Sequence, residues 1–405
     1  MKILMVNKFL YSRGGAENYM LYLAEQLEKL GHEVQYFGMY DEKNSVGNKA
    51  GKYTQNMDFH SRGLARFLYP FKIIYSAESK RKLLAVIDDF HPDIIHMNNI
   101  NFQLTPSVIY AAKKRGIPLV QTVHDYQMIC PNHLLYNFKN NEICEKCLGG
   151  CYLSCIKNKC IHGSRVKSII GAIEARFYSL LKTYKKVDLY ITPSYFLEQK
   201  LLTTNSLYQG KTKTIHNFID KNNFKTQEKT EEYIAFAGRL SKEKGIDLIA
   251  EAAKLLPQYT FMVAGGGPDE DILKNIDNVK MVGFLSGEKL IKFMGKAKLL
   301  LVPSIWYENC PLSILEAQCM GVPIVTMKSG GMAELVVDGV TGVHVSEPTP
   351  ESLAQKLKET LENEEYYNSL KENCKNAKDD ILSVETYCEK LMEAYQEVKL
   401  CNNLK

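Results

Sequence analysis

Short apolar runs alternate with amphipathic stretches along nearly the whole chain, in the repeating order strand, loop, helix. Residues 3–6 are apolar and lead into a loop containing Gly14 and Gly15. Residues 17–30 carry apolar side chains at helical spacing and stop at Gly31, and 34–38 follow as the next strand. That is one βαβ unit. Residues 93–97, 118–123, 188–192 and 212–215 are further predicted strands. Most are continuous apolar runs rather than alternating ones, the pattern of strands buried on both faces of a parallel sheet. The series restarts at 233–238 and continues through 260–264, 279–284, 299–303 and 323–327, with helices between. Two such series of similar size predict an α/β protein with two doubly wound domains facing each other. The expected units are 1–217, 218–380 and a C-terminal helix in 381–405. The junction falls near 217–230, where the chain turns polar and rich in Lys and Glu. Leu382, Tyr387, Leu391, Met392 and Tyr395 recur at helical spacing, so the terminal helix is amphipathic and predicted to pack back on the first domain.

Charge separates the two halves. Of 51 Lys and Arg and 46 Asp and Glu, residues 1–217 hold 29 and 17, a net +12. The remaining 22 and 29 give −7. A basic unit joined to an acidic one implies different partners, with phosphates or an anionic surface facing the basic one. The basic character is strongest in 165–186, where Arg165, Lys167, Arg176, Lys182, Lys185 and Lys186 accompany apolar residues at helical spacing. Two readings stand: a helix lying on the inner face of a membrane, or a packed helix with a solvated basic side. No run approaches 18 apolar residues, and 3–6 is too short for a signal-peptide core. A cytoplasmic location is expected. In a reducing compartment Cys130, Cys144, Cys147, Cys151, Cys155 and Cys160 fit metal ligands or free thiols better than disulfides. They form an insert over 130–162. A structural zinc held by four thiolates is one reading, and a loop of reduced cysteines is the other. A zinc-dependent nucleic-acid module requires a second knuckle and a recognition helix, and only its basic character is present.

The most informative segment is VPSIWYENCPLSILEAQCMGVP over 302–323. A buried strand ends at Pro303, a loop follows, and a helix is predicted to begin near Pro311 and to stop at Gly321. Glu308 lies in the loop at the strand's carboxyl end, and Glu316 on the helix. The crevice outside strand ends is where open α/β sheets bind ligands, and the N–H groups near Leu312 and Ser313 offer an anion site there. Glu308 and Glu316, separated by seven residues, resemble the acidic pair of glycosyltransferase family 4, retaining enzymes of the GT-B fold that use nucleotide sugars. Gly321-Val322-Pro323 and 330–336 (GGMAELV) continue the family pattern, and the resemblance extends over nearly the whole chain.

The resemblance implies roles for further residues. In 236–245 (FAGRLSKEKG), Arg239 and Lys244 match the cations that hold the donor diphosphate. Fixed cations suit that task, because the leaving diphosphate gains charge as the glycosidic bond breaks. Glu308 would hold hydroxyls of the donor sugar and Glu316 those of the ribose. Asn309, Cys310, Pro311 and Leu312 form the donor loop between them. Gly265 and Gly266 lie near the nucleotide, and Val282-Gly283-Phe284 matches the segment whose backbone reads the base. Arg13-Gly14-Gly15 resembles the first glycine loop, which approaches the phosphates and the acceptor. His124, ending the strand at 118–123, matches a histidine that faces the transferred sugar. Asn217 stands where the family often has Asn-Gly, but Phe218 replaces the glycine. Asp269-Glu270-Asp271 reads D-x-D yet opens a predicted helix, and family members transfer sugars without a catalytic metal.

The expected protein is therefore a cytoplasmic transferase, with or without attachment to the inner leaflet. It would move a sugar from a nucleoside-diphosphate donor to a saccharide or lipid-linked saccharide acceptor in cell-surface polysaccharide synthesis, with no cofactor and no nucleic acid. The alternatives are a GT-B epimerase or phosphorylase, and a non-catalytic binder of nucleotide sugars or, through zinc, of nucleic acid.

Overall fold

The computed structural model describes residues 1–56, 71–226 and 230–403. Residues 227–229 of the predicted junction lie outside the described residues. Twelve strands form two six-stranded parallel sheets. The first runs in the order β2-β1-β3-β4-β7-β8, from β1 (Lys2–Val6), β2 (Glu33–Phe37), β3 (Ile94–Met97), β4 (Leu119–Thr122), β7 (Leu189–Thr192) and β8 (Thr212–Thr214). The second runs β11-β10-β9-β12-β13-β14, from β9 (Tyr233–Ala237), β10 (Thr260–Ala264), β11 (Val279–Gly283), β12 (Leu299–Val302), β13 (Ile324–Met327) and β14 (Gly342–Val345). Between β4 and β7, within the cysteine-rich insert, β5 (Tyr136–Asn137) and β6 (Glu142–Ile143) make a small hairpin.

β1 shows why these runs are buried on both faces. Ile3 and Met5 face the helix Gly15–Lys29 through Tyr19, Met20, Leu23 and Leu27. Leu4 and Val6 face the opposite layer, with Leu83, Val86, Ile87 and Phe90 of the helix Ala77–Phe90. Alternate side chains of a strand point to opposite faces, so a strand between two helical layers must be apolar throughout. The core around the second sheet draws on residues from Ile219 to Ile381.

The chain then returns. Helix Val384–Asn403 packs Val384, Tyr387, Leu391, Ala394, Tyr395 and Val398 into the same core as Ile3, Met5 and Tyr19. Its hydroxyls are satisfied there: Tyr387 bonds Tyr19, and Tyr395 bonds His96 Nδ1. Burial, followed by the nearby His124, holds His96 well below its usual pKa, at about 3, so that ring is neutral. Buried aliphatic side chains contribute about 1.5–3 kcal/mol each. The helix's surface pairs, Lys399 with Asp93 and Lys213 with Glu397, are worth about 0–1 kcal/mol each. Apolar burial therefore docks this helix.

Four features were not anticipated from the sequence. β14 is a fully buried edge strand of only four residues. The β5–β6 hairpin is two residues per strand. Phe218, the departure from Asn-Gly, is a packing residue: it stacks on Tyr22 at 5.8 Å and lies 4.7 Å from the Tyr387 ring, where the chain leaves the first domain. The D-x-D acids open only a 3₁₀ turn at Glu270–Leu273. Asp269 there accepts the Lys242 N–H at 3.0 Å, and Asp271 pairs with Lys274.

Candidate active site

The carboxyl ends of β9, β10 and β12 bring together three loops that the sequence singled out. After β9, Gly238 N–H donates to Ala264 O at 3.0 Å and Leu240 N–H to Gly266 O at 3.1 Å, so the loops after β9 and β10 lie side by side. A Cβ on Gly265, at φ +141°, would stand 1.8 Å from Gly238 O. Gly265 is therefore demanded by loop packing, whereas a Cβ on Gly266 would meet open space. Gly245, at φ +78°, caps the next helix against Pro303, whose carbonyl a Cβ would approach to 2.1 Å. That junction delivers Lys244 to the loop after β12.

There Lys244 Nζ forms an ion pair with Glu308 Oε1. The same oxygen accepts from Ser304 Oγ at 2.8 Å and Trp306 Nε1 at 2.8 Å. Lys244 Nζ also lies over the Trp306 ring, 5.3 Å from its centre. Burial opposes the Glu308 charge, but Lys244 and the Trp306 and Ser304 donors outweigh it and hold the carboxyl below the usual carboxylate range. Glu308 is thus a buried, fixed anion. Glu316 differs: on the helix Leu312–Cys319 it makes no side-chain hydrogen bond among the described residues, and burial raises its pKa to about 7. Arg239 is exposed and unpaired among the described residues, close enough to His162 to depress its pKa, after burial and Lys167.

The helix begins at Leu312, with Pro311 as its cap, one residue later than the proline rule placed it. Cys310 is buried, and its thiol is pushed up to about 12 by burial. Asn217 Nδ2 donates to Cys310 O at 3.1 Å, so this residue braces the loop ahead of the helix although Phe218 stands in the glycine's place. Phe284, just past β11, is 81% exposed.

The first domain meets this loop from the other side. Asn309 Nδ2 donates to His124 O at 2.8 Å, and Tyr126 OH to Tyr307 O at 3.2 Å. The His124 ring lies edge-on to Tyr19, 5.0 Å between centres, and its Nε2 bonds Asn98 Oδ1 at 2.8 Å. Burial lowers His124 to about 4, so it is neutral at pH 7. Asn98 Nδ2 and Asn309 Oδ1 are buried without partners. Gly14 caps the helix Gly15–Lys29, its carbonyl accepting from Asn18 N–H at 3.0 Å, and a Cβ on Gly15 would meet nothing. Arg13 stacks over Phe9, 4.0 Å from the ring centre. Glu334, within 330–336, accepts from the N–H groups of Tyr195 and Phe196 and bonds His216 Nε2 at 3.2 Å, tying the second domain to a helix start of the first.

Sequence reasoning missed Ser304, Trp306, Tyr307, Asn98 and Glu145. Trp306 was the accessible signal: it is the only tryptophan of the chain and stands two residues from Glu308. In the insert, Cys130, Cys144, Cys147, Cys155 and Cys160 line one small cavity, with Cys155 and Cys160 hydrogen-bonded to each other. No group of three or more His, Cys, Asp or Glu is arranged to hold a metal ion among the described residues. No described helix is long and apolar enough to cross a membrane.

Comparison with known proteins agrees with this fold. A model described as Glycosyl transferases group 1 matches residues 218–377. One relative is an uncharacterized 42.6 kDa protein in the cps region of Klebsiella pneumoniae, 26% identical over 83% of this chain and 87% of its own length. Among solved structures, sucrose-phosphate synthase from Thermosynechococcus elongatus superposes with a TM-score of 0.71 at 16% identity, over 99% of both chains. HepE of Anabaena, solved with UDP and glucose, gives 0.67 at 20% identity over 98% of this chain and 99% of its own. The facing parallel sheets are the GT-B architecture of these transferases. The model described as Glycosyltransferase Family 4 matches residues 13–223, more than half of the 405, and the chain belongs to that family.

Proposed function

We propose that this transferase is a retaining enzyme that moves one sugar from a nucleoside-diphosphate donor to a saccharide or lipid-linked saccharide acceptor in cell-surface polysaccharide synthesis. The carrying observation is the contrast inside one cleft: a fixed Lys244–Glu308 pair beside an unpaired Arg239 and an unpartnered Glu316. Arg239 and Lys244 hold the leaving diphosphate and stabilise the charge it gains. Glu308 keeps Oε1 occupied by its three donors and presents its carboxylate to donor-sugar hydroxyls. Glu316 takes the ribose hydroxyls. Neutral His124 faces the transferred sugar. Asn98 Nδ2 and Asn309 Oδ1 fit a polyhydroxylated ligand, because an unpaired buried polar atom costs about 1–3 kcal/mol that such a ligand removes. The cps-region relative, and HepE with its UDP and glucose, support this reading.

The test is a thermal-shift panel of UDP-, GDP- and ADP-sugars, followed by donor hydrolysis with the stabilising member. One base should raise the melting temperature as both diphosphate and sugar donor, and the donor should slowly release nucleoside diphosphate. A panel with no shift and no release rejects the reading.

The first domain carries a feature suited to a lipid-linked acceptor. Helix Arg165–Leu180 buries Ser168, Gly171, Ala172 and Tyr178 against the protein. Its outer side leaves Val166, Ile169, Ile173 and Leu180 exposed, Val166 at 67% and Leu180 at 64%. Arg165, Lys167, Arg176 and Lys182 flank that apolar strip. We place this side on the inner leaflet. Each basic residue near an anionic surface contributes about 1 kcal/mol of attraction, and salt screens it beyond a Debye length of about 8 Å. The protein should sediment with anionic vesicles at low salt, be released at high salt, and bind neutral vesicles weakly. Equal binding to both vesicle types, or to neither, removes the membrane role.

A further inference from the structure

Tyr307 belongs to the second domain, yet its side chain is held by the first. Its hydroxyl donates to Glu145 Oε1 at 2.8 Å. Its ring lies 4.7 Å from Phe196, centre to centre, and Lys200 Nζ stands over it at 5.1 Å. Lys200 also pairs with Glu145, and Tyr126 OH donates to the Tyr307 carbonyl. Four residues of one domain thus form a socket for one side chain of the other. Glu145 lies between Cys144 and Cys147 in the cysteine-rich insert, and its carbonyl accepts from Leu148 N–H at 3.0 Å.

The neighbours of Tyr307 face different work. Trp306 Nε1 donates to Glu308 Oε1, and Lys244 lies over the Trp306 ring. On its own side the loop backbone is pinned: Gly331 N–H donates to Glu308 O at 2.7 Å, and a Cβ on Gly331 would stand 1.6 Å from Asn309 O. The backbone at Glu308 and Asn309 is therefore braced within the second domain, while the Tyr307 side chain between Trp306 and Glu308 is seated from across the cleft. We propose that Tyr307 is a positioning residue: seated in the Glu145–Phe196–Lys200–Tyr126 socket when the domains face each other, it aligns Trp306 and Glu308 with Lys244. Domain approach and assembly of the donor-sugar site are then one event. The kinetic arm of the test rests on the function proposed above, and the spectroscopic arm does not.

Because Trp306 is the only tryptophan, its emission reports on this segment alone. Tyr307→Phe removes the bond to Glu145 and keeps the ring. Acrylamide quenching of Trp306 in the free protein should rise at least about twofold, with a melting temperature within about 2 °C of the parent. Glu145→Gln should give a similar rise. The double variant should add little to either single one, since both changes remove one interaction. With a donor identified, kcat for hydrolysis should fall about tenfold while donor KM stays within about twofold. Unchanged quenching in both single variants, or strictly additive effects in the double variant, overturns the proposal. Greater quenching with no donor found anywhere in the panel sinks the donor chemistry proposed above and leaves the seating of Tyr307 standing.

Discussion

Alanine at Lys244 lowers turnover by about 100-fold or more, equivalent to about 2.7 kcal/mol of transition-state stabilisation. Arg239→Ala does the same, and both weaken nucleoside diphosphate binding. The two variants part company in stability. Lys244 neutralises a buried carboxylate, and removing one partner of a buried pair costs up to about 3–5 kcal/mol. Arg239 is exposed and unpaired among the described residues, so its loss leaves the melting temperature where it was. A carboxyl held low stabilises the fold above the ordinary carboxylate range, and that contribution fades as pH falls through the lowered value. The parent therefore loses the Glu308 contribution only in acid, whereas Lys244→Ala has lost much of it at neutral pH. Steady-state donor hydrolysis and melting curves between pH 4 and 8 check both statements. Near-parental turnover in both variants rejects the diphosphate clamp.

Arg239, Lys244 and Glu308 could be singled out from the chain alone because each lies in a loop that follows a recognisable strand, and Glu316 because it lies on the helix after the last of these loops. Eleven of the twelve sheet strands were predicted, most of them because a strand buried on both faces must be a continuous apolar run; β8 and β11, at or near the sheet edges, are not buried in that way. What escaped depends on distance rather than pattern. Tyr307, Glu145 and Lys200 stand 162 and 55 residues apart, and no local period connects them. Asn98 gained its place only when β3 was laid beside β4, which brings its side chain to His124. Gly265, expected near the nucleotide by resemblance, also makes room for the neighbouring loop. A glycine reports that a backbone comes close, and the sequence does not say whose.

Removing the two acids separates their roles. Glu316→Ala weakens binding of the nucleoside diphosphate itself, because ribose is part of it. Glu308→Ala spares the diphosphate and lowers use of the complete sugar donor by about 100-fold or more. Charge adds a second readout. Ribose hydroxyls donate to a carboxylate, and Glu316 is raised to about 7. Diphosphate affinity should therefore tighten as pH rises from 6 to 8, by at most about tenfold per unit below that pKa. In Glu316→Gln only the ligand's own titration should remain. Calorimetry across this range decides the matter: an unchanged pH profile in the variant removes Glu316 from the ribose, and a diphosphate defect in Glu308→Ala reverses the two assignments.

The return of helix Val384–Asn403 to the first sheet has a consequence for biosynthesis. Ile3, Tyr19 and Met20 are made before the second sheet, but the side chains that complete their core, Tyr387 to Val398, are made only after it. Between residue 218 and the end of that helix a ribosome adding about 5–20 residues per second spends roughly 10–40 s. During that interval the first domain carries an uncovered apolar groove flanked by Phe218, while the second sheet, continuous in sequence, can close its own core. The core of the second domain, complete at Ile381, can thus close before that of the first, inverting the order in which they are translated. The groove left waiting is a natural place for a chaperone to bind the nascent chain.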